Sequence, residues 1–354
     1  MLLLTGGTGF IGRAVLQLLA ARPDGRIVVL SRRPPQALSF AGDRVTFLAG
    51  DVRLPRLGLD EGRCDELLGT VTDIIHLASD IRFETALEES RAANTTGTRH
   101  MLDLARDCRR LRRFAHVSTV YVHGMTAGTF REEPIPNAGS YLNPYQQTKH
   151  EAEVLVLRAM QEIPAAIYRL STVVADSPAG TVGQFNYVHQ LIRFLPNSPL
   201  PVIPGDPDTG LDLIDNEWAG AALVHLFENR FVPGAVRHIC AGPNDSLPFG
   251  EALRRGKKVL EANSVNGARH AIRIPELVSL PEFNAFLAHT SDRRLQRLAA
   301  RFDTFLPLAA MRNVYTNGCA TADLAGSGIV RTPVRNYFEK VVQHCVDTDW
   351  GQAR

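Results

Sequence analysis

Leu2-Leu3-Leu4-Thr5-Gly6-Gly7-Thr8-Gly9-Phe10-Ile11-Gly12 opens the chain. The three leucines form a short apolar run of the kind buried on both faces of a parallel sheet. Glycines interrupt it at once, and from Arg13 to Ala20 the apolar residues Val15, Leu16, Leu18 and Leu19 take helical spacing. A glycine-rich turn between a buried strand and a helix is a phosphate cradle. Gly6 or Gly7 permits the tight turn, Gly9 lets the backbone approach a pyrophosphate, and Gly12 lets the helix pack closely on the strand. The unpaired N–H groups and positive dipole end of the helix then face the phosphates. Thr8, Phe10 and Ile11 lie in the same predicted contact surface.

Outward from this loop the pattern repeats. Ile27–Leu30, Val45–Leu48, Asp73–Leu77, Phe114–Ser118 and Ala166–Leu170 read as strands. Thr96–Cys108 and Lys149–Met160 read as helices. Continuous apolar strands alternating with amphipathic helices predict an α/β fold with a doubly wound parallel sheet of Rossmann type. After Ser171 the texture changes. Ala175–Gly183 and Leu195–Gly210 are rich in Pro, Gly and Asp and read as loops leaving the sheet. Leu211-Asp212-Leu213-Ile214 reads as a returning strand, followed by a helix from about Asn216 and a further strand at Arg237–Cys240. The expected division is a dinucleotide-binding unit at 1–175 and 211–242. A smaller, mainly helical substrate-binding region is expected at 176–210 and 243–354.

The end of the second strand speaks to the cofactor. An acidic residue there would hold ribose hydroxyls and repel a 2′-phosphate. This strand instead ends Leu30-Ser31-Arg32-Arg33, and two guanidiniums attract a phosphate and bind it bidentately. NADP(H) is therefore expected over NAD(H). Asp51 and Val52, after the third strand, are placed to meet the adenine, and Leu77, Ala78 and Ser79, after the fourth, to line the cofactor. Leu170 and Val173, around the end of the sixth strand, join the predicted cofactor contacts.

Tyr145 and Lys149 are four residues apart and share one face of a helix, with Pro144 suited to its first turn. A free tyrosine titrates near pH 10, and a neighbouring ammonium lowers that value toward the working range. The lysine also suits a hydrogen bond to a nicotinamide ribose. Ser118 and Thr119, ending the fifth strand 26 residues before Tyr145, offer hydroxyls to a substrate carbonyl oxygen. Of the two, Thr119 is the expected catalytic hydroxyl, with Ser118 in support.

These residues resemble the extended short-chain dehydrogenases/reductases over roughly residues 1–240. One branch fits best. His76-Leu77-Ala78-Ser79-Asp80-Ile81-Arg82-Phe83, Asn94-Thr95-Thr96-Gly97-Thr98 and His116-Val117-Ser118-Thr119-Val120-Tyr121-Val122 resemble segments of the fatty acyl-CoA reductases and thioester reductase domains, the male-sterility type. The resemblance implies an activated acyl substrate on CoA or a carrier protein. Hydride would attack the thioester carbonyl to give an aldehyde, and a second hydride would carry it to the alcohol. It also implies that Asn94 organises the site or a water chain. Arg169-Leu170-Ser171 lacks the proline often seen there in this branch, and the region from Pro243 onward matches only loosely. The alternative reading is an extended-family enzyme acting on another carbonyl or alcohol: a ketone or hydroxysteroid-type reductase, or a sugar-nucleotide epimerase or dehydratase.

Composition bounds the rest. The chain has 354 residues, a formal net charge of +2 and 45% hydrophobic residues, which argues against a strongly basic nucleic-acid binder. Its five cysteines match no common zinc spacing, so no metal site is expected and reduced thiols are. The N-terminal apolar run is too short for a signal peptide and no run suffices to span a bilayer, which points to a cytoplasmic enzyme. The chain opens at the first strand, so a diffusible or trans-presented substrate is expected, and a homodimer is left open. The five arginines of Arg106–Arg113, and Arg254-Arg255-Gly256-Lys257-Lys258, read first as solvated faces and second as docking patches for an acidic carrier protein or CoA phosphates. His76 and His116 read as satisfied core histidines.

Overall fold

The computed structural model describes residues 1–23, 25–35, 42–194, 198–263, 272–300 and 302–352. Its centre is a seven-stranded sheet in which every neighbouring pair is parallel. The elements run β1 (Leu2–Thr5), α1 (Phe10–Ala20), β2 (Ile27–Ser31), β3 (Val45–Ala49), α2 (Glu61–Thr70), β4 (Asp73–His76), α3 (Leu87–Arg91) and α4 (Gly97–Asp107). Then come β5 (Arg113–Thr119), β6 (Gly128–Phe130), α5 (Pro144–Ala159), β7 (Ala165–Leu170), β8 (Thr172–Ala175) and α6 (Tyr187–Phe194). β9 (Val202–Pro204), β10 (Gly210–Leu211), β11 (Leu213–Asp215), α7 (Asn216–Asn229), β12 (Val236–Ile239) and β13 (Leu247–Pro248) follow. The remainder is α8 (Phe249–Ala262), β14 (Glu276–Val278), α9 (Leu280–His289), α10 (Arg293–Ala300), α11 (Leu306–Ala309), β15 (Asn313–Tyr315), α12 (Gly318–Leu324) and α13 (Phe338–Asp347).

The sheet order is β3-β2-β1-β4-β5-β7-β12. The chain moves outward from β1 in one direction and returns to continue from β4 in the other. β1 and β4 therefore flank the point where the winding reverses, and the crevice beyond their carboxyl ends is where such sheets take ligands. Consecutive residues of these strands serve opposite faces. Leu4, Ile75 and Ala115 pack with Val15, Leu16 and Leu19 of α1 and Leu223, Leu226 and Phe227 of α7. Leu3, Ile74 and Phe114 pack with Leu67 of α2, Met101 of α4 and Val156 of α5. This double burial is why the strands read as unbroken apolar runs rather than as alternating ones.

A third apolar cluster lies outside the sheet, with Val188, Leu191 and Ile192 of α6, Leu253 and Leu260 of α8, Phe302, Phe305, and Phe338 and Val341 of α13. It is joined to the sheet unit by β11, which pairs in parallel with β8, and by β15, which pairs with β6.

Two local expectations change. Leu211–Ile214 is not one strand: it breaks at Asp212, whose carboxylate turns inward to accept Ala241 N–H at 2.6 Å and Gly242 N–H at 2.9 Å. The expected helix from Thr96 is preceded by a π-helical turn at Ala92–Thr96. The helix carrying Lys149 begins at Pro144, as the proline predicts, and Asn143 caps it by accepting Gln146 N–H at 3.0 Å. Of the loop expected at Leu195–Gly210, residues 195–197 lie outside the described residues. Among the described residues no helix is long and apolar enough to cross a membrane.

The arginine-rich run is largely spent on structure. Arg106 bonds Asp103 and Glu162, while Arg112 and Arg113 both clamp Asp73, which is 5% exposed. In the second basic run Arg255 pairs with Glu251 and Glu339, and Lys257 with Glu261.

Candidate active site

The glycine loop leaves β1 at the winding reversal. Gly6 has φ of +73°, and a side chain there would lie 2.6 Å from Ala78 N. Gly6, rather than Gly7, is thus the residue that the turn demands. A Cβ on Gly12 would lie 2.0 Å from Gly6 O, so α1 packs against the turn only because that position is bare. Gly9 caps α1 without any side-chain partner for the first-turn N–H groups, and a Cβ there would fill the space beside the turn. The loop is pinned from below. Thr5 Oγ1 accepts Ala78 N–H at 3.2 Å and lies 2.7 Å from His76 Nδ1, joining the ends of β1 and β4. Phe10 O accepts Asn216 Nδ2–H at 3.1 Å, which ties the start of α1 to α7. Leu77 and Ala78 therefore lie directly against the turn, and Ser79 follows them.

At the end of β2 Arg32 and Arg33 are exposed, and no ion pair holds either of them among the described residues. Asp51 is differently placed. Its carboxylate takes both Nε and Nη2 of Arg53, at 2.9 and 2.6 Å, and this hydrogen-bonded pairing holds it below the usual carboxylate range. Val52 is fixed by its carbonyl, 2.9 Å from His100 Nδ1, and by the bare Cα of Gly97 against its side chain. Leu170 ends β7 and Val173 lies on β8, whose start adjoins the tyrosine cluster described below.

Tyr145 and Lys149 lie on the first two turns of α5. Ser118 and Thr119, as adjacent strand residues, point to opposite faces of the sheet. Thr119 interacts with Tyr145 and draws its pKa down, while Ser118 Oγ is buried with no partner among the described residues. Burial outweighs the Thr119 effect and pushes Tyr145 up to about 12. This differs from the expected tuning by Lys149, for a geometric reason. Lys149 Nζ donates to Val117 O at 2.8 Å, and burial brings its own pKa down to about 8.

Asn94 sits in the π-helical turn and is 1% exposed. Its Oδ1 accepts Ser79 Oγ–H at 2.9 Å and Asp80 N–H at 2.7 Å, and its Nδ2 donates to Asp80 O and Thr148 Oγ1, both at 2.9 Å. The side chain thereby ties the segment after β4 to α5. The same segment carries Phe83, whose ring stacks on Tyr145 at 5.6 Å and on Tyr187 at 5.9 Å. Arg82 is held away from it by Asp80 and Glu89.

Several contributors are not evident from sequence motifs. Tyr187 and Thr172 form a hydroxyl cluster with Tyr121: Tyr121 Oη is 2.8 Å from both Thr172 Oγ1 and Tyr187 Oη. Glu153 continues the row of Tyr145 and Lys149 on α5 and pairs with Arg169 of β7 at 2.7 Å, both side chains at most 1% exposed. Spacing of four residues was the available signal for Glu153. Nothing local announced Tyr187. His76 is a satisfied core histidine, bonded to Thr5 and Thr98. His116 departs from that expectation, since neither ring nitrogen has a hydrogen-bond partner among the described residues.

Residues 4–223 match the family described as male sterility protein. A linear gramicidin synthase protein of Brevibacillus parabrevis is 30% identical over 63% of this chain and 5% of its own length. Isonitrile lipopeptide synthase of Streptomyces coeruleorubidus is 30% identical over 66% of the chain and 17% of its length. Fatty acyl-CoA reductase wat of Drosophila melanogaster is 25% identical over 62% of the chain and 52% of its length. The chain thus spans only part of these relatives, from a twentieth to about half. In structure, the terminal R domain from the myxalamid PKS-NRPS pathway superposes with a TM-score of 0.79 and 25% identity, covering 99% of this chain and 92% of that one. The chain belongs to the male sterility family of NAD-binding domains.

Proposed function

We propose that the chain reduces an acyl thioester, carried on CoA or on a carrier protein, with NADPH. The observation that carries this reading is Tyr145 on the first turn of α5, stacked on Phe83 at 5.6 Å, with Thr119 at the carboxyl end of β5 near enough to lower its pKa. A cavity lined by Tyr121 and Tyr187 is linked to Tyr145 through Phe83, whose ring stacks on both Tyr187 and Tyr145. The relatives support the substrate class, since one is named a lipopeptide synthase and another a fatty acyl-CoA reductase.

The residues present fit a dinucleotide. The unpartnered first turn of α1 and the bare Gly9 suit the pyrophosphate, and Arg32 and Arg33 suit a 2′-phosphate. Thr8, Ile11, Leu77, Ala78, Ser79, Leu170 and Val173 would complete the contacts to the dinucleotide. When bound, the cofactor supplies hydride. Thr119 and Tyr145 would donate hydrogen bonds to the carbonyl oxygen and hold the charge it gains on attack, with Ser118 supporting the strand end. Collapse of the tetrahedral centre breaks the C–S bond. The thiolate leaves with a proton, so that thioester, NADPH and H⁺ become aldehyde, thiol and NADP⁺. Lys149 would hold a positive charge beside the reacting centre. Asn94 serves as a positioning residue that fixes the Ser79–Asp80 segment.

The test is NADPH oxidation against acyl-CoAs, acyl-pantetheines, aldehydes, ketones and sugar nucleotides. Thioesters are expected to turn over, and Tyr145→Phe to lower kcat by at least about a hundredfold. Turnover of ketones or sugar nucleotides without thioesters would assign the chain to another extended-family chemistry.

A further inference from the structure

Between Asp80 and α3 the chain runs from Ile81 to Ala86 without helix or strand. Its side chains differ sharply in burial. Ile81 is 51% exposed, and Arg82, Glu84 and Ala86 are exposed, whereas Phe83 is half-buried. The segment turns its one aromatic ring inward and leaves an isoleucine in water. Hydrophobicity alone does not choose that arrangement, since burying Ile81 would be favourable too. The root of the segment makes the choice. Asn94 accepts Asp80 N–H at 2.7 Å and donates to Asp80 O at 2.9 Å, and the Asp80 carboxylate takes Arg82 Nε and Nη2 at 2.9 and 2.8 Å. These bonds set where Phe83 leaves the chain.

The Phe83 ring stacks on Tyr145 and on Tyr187, with centroids at 5.6 and 5.9 Å and planes inclined by 30° in each pair. Both separations are those of attractive ring pairs. Beyond Tyr187 the row of rings continues through Phe305 at 5.3 Å and Phe302 at 5.5 Å to Phe194 at 4.7 Å. Phe83 packs with the outer apolar cluster that holds these rings. Tyr145, a residue of the sheet unit, is thus braced through Phe83 by packing that lies outside that unit.

A phenol that donates to a carbonyl oxygen must keep its proton and its direction. A stacked neighbour restricts the swing of the phenol ring, and an apolar ring over its face displaces water, which disfavours the phenolate. Tyr145 stands at about 12, with burial as the main cause and Thr119 opposing it. The charged or titratable groups on the elements around it are Lys149 and Glu153 on α5, His116 on β5, Tyr187 at the start of α6, and Asp80 and Arg82 at the root of the segment. The shift owes to burial and Thr119, not to their charges.

Resting on the thioester reading, in which Tyr145 donates to the carbonyl oxygen, we infer that Phe83 is the positioning residue for Tyr145. Its ring holds the plane of the phenol and shields it from water, so that Tyr145 meets the substrate as a protonated donor. The experiment uses the full chain and two readouts. The first is a pH titration of tyrosinate absorbance in Phe83→Ala, less the same titration in Phe83→Ala/Tyr145→Phe. The difference isolates Tyr145 because the other tyrosines cancel, and wild type less Tyr145→Phe is the reference. The isolated pKa is expected to fall from about 12 toward 10. The second readout is acyl-pantetheine reduction, in which kcat should fall at least about tenfold while KM for NADPH changes by less than about twofold. Phe83→Tyr, which keeps a stacking ring, should restore kcat and the raised pKa, and Ile81→Ala, on the exposed side of the same segment, should alter neither. Phe83→Leu carries the test where Phe83→Ala does not fold, with a shift in the same direction. A Tyr145 pKa unchanged in the Ala or Leu variant overturns the assignment, as does a loss of kcat that Phe83→Tyr leaves in place. If the wild type reduces no thioester, the reduction reading falls and the titration alone decides the role of Phe83: a fall toward 10 sustains it, and no fall overturns it.

Discussion

Lys149 is the residue where position and chemistry are most tightly bound together. Its ammonium is 3% exposed and has Val117 O as its hydrogen-bond acceptor, and burial lowers its pKa from 10.5 to about 8. Glu153, one turn further along α5, offsets part of that effect. Between those two pH values the unfolded chain binds more protons than the folded one. Stability should therefore rise with pH across the window from about 8 to 10.5, by up to roughly 3 kcal/mol. Urea denaturation at intervals through that range, compared with Lys149→Met, checks this: the variant should lack the rise. An equal slope in both proteins would mean that Lys149 is solvated in the folded chain. The pair Tyr145–Lys149 was legible in the sequence because four-residue spacing and Pro144 together specify a helix face near its start. The direction of the Tyr145 shift was not legible, because it depends on burial, and the Phe83 ring stacked on Tyr145 arrives from a distant segment.

At the scale of elements, α5 is fastened to the sheet by a polar anchor within an apolar layer. Arg169 of β7 donates to Glu153 through Nε and Nη2, and its Nη1 reaches Glu133 O at 3.0 Å and His238 Nε2 at 3.2 Å. A charge left alone in this place is costly. Glu153→Leu should destabilise by about 3–5 kcal/mol, whereas the double replacement Glu153→Leu/Arg169→Met should recover much of that loss. Equilibrium denaturation of the two variants decides it, and a double variant no more stable than the single would show that the other Arg169 contacts dominate. The strand and helix order was readable because both faces of the sheet are covered, which leaves a simple apolar signature. The break at Asp212 and the π-helical turn at Ala92–Thr96 were not readable. Each is imposed by a side chain bonding across the fold, Asp212 to the backbone after β12 and Asn94 to Asp80 and Thr148.

At the scale of the whole molecule, the winding reversal gathers segments remote in sequence around one crevice. The glycine loop is joined to β4 through Thr5, to α7 through Asn216, and to the segment before α6 through Gly183, where a Cβ would stand 3.2 Å from the Phe10 ring. A dinucleotide bound there touches a junction of several elements, so its binding should be felt as global stability. At about a hundred times its Kd it should add roughly 2.7 kcal/mol to unfolding. The 2′-phosphate supplies the discriminating part of that gain if Arg32 and Arg33 bind it. NADPH is therefore expected to raise Tm more than NADH at equal concentration, and Arg32→Ala/Arg33→Ala should bring the two shifts together by lowering the NADPH response. Differential scanning fluorimetry at low ionic strength reads both quantities. The preference should weaken with added salt, because the two guanidiniums are exposed and their attraction is screened. Equal shifts for the two cofactors in the wild type would withdraw the 2′-phosphate from the arginines. A preference that survives the double variant would locate its cause elsewhere, with Arg53, now bound to Asp51, as the next cation to replace.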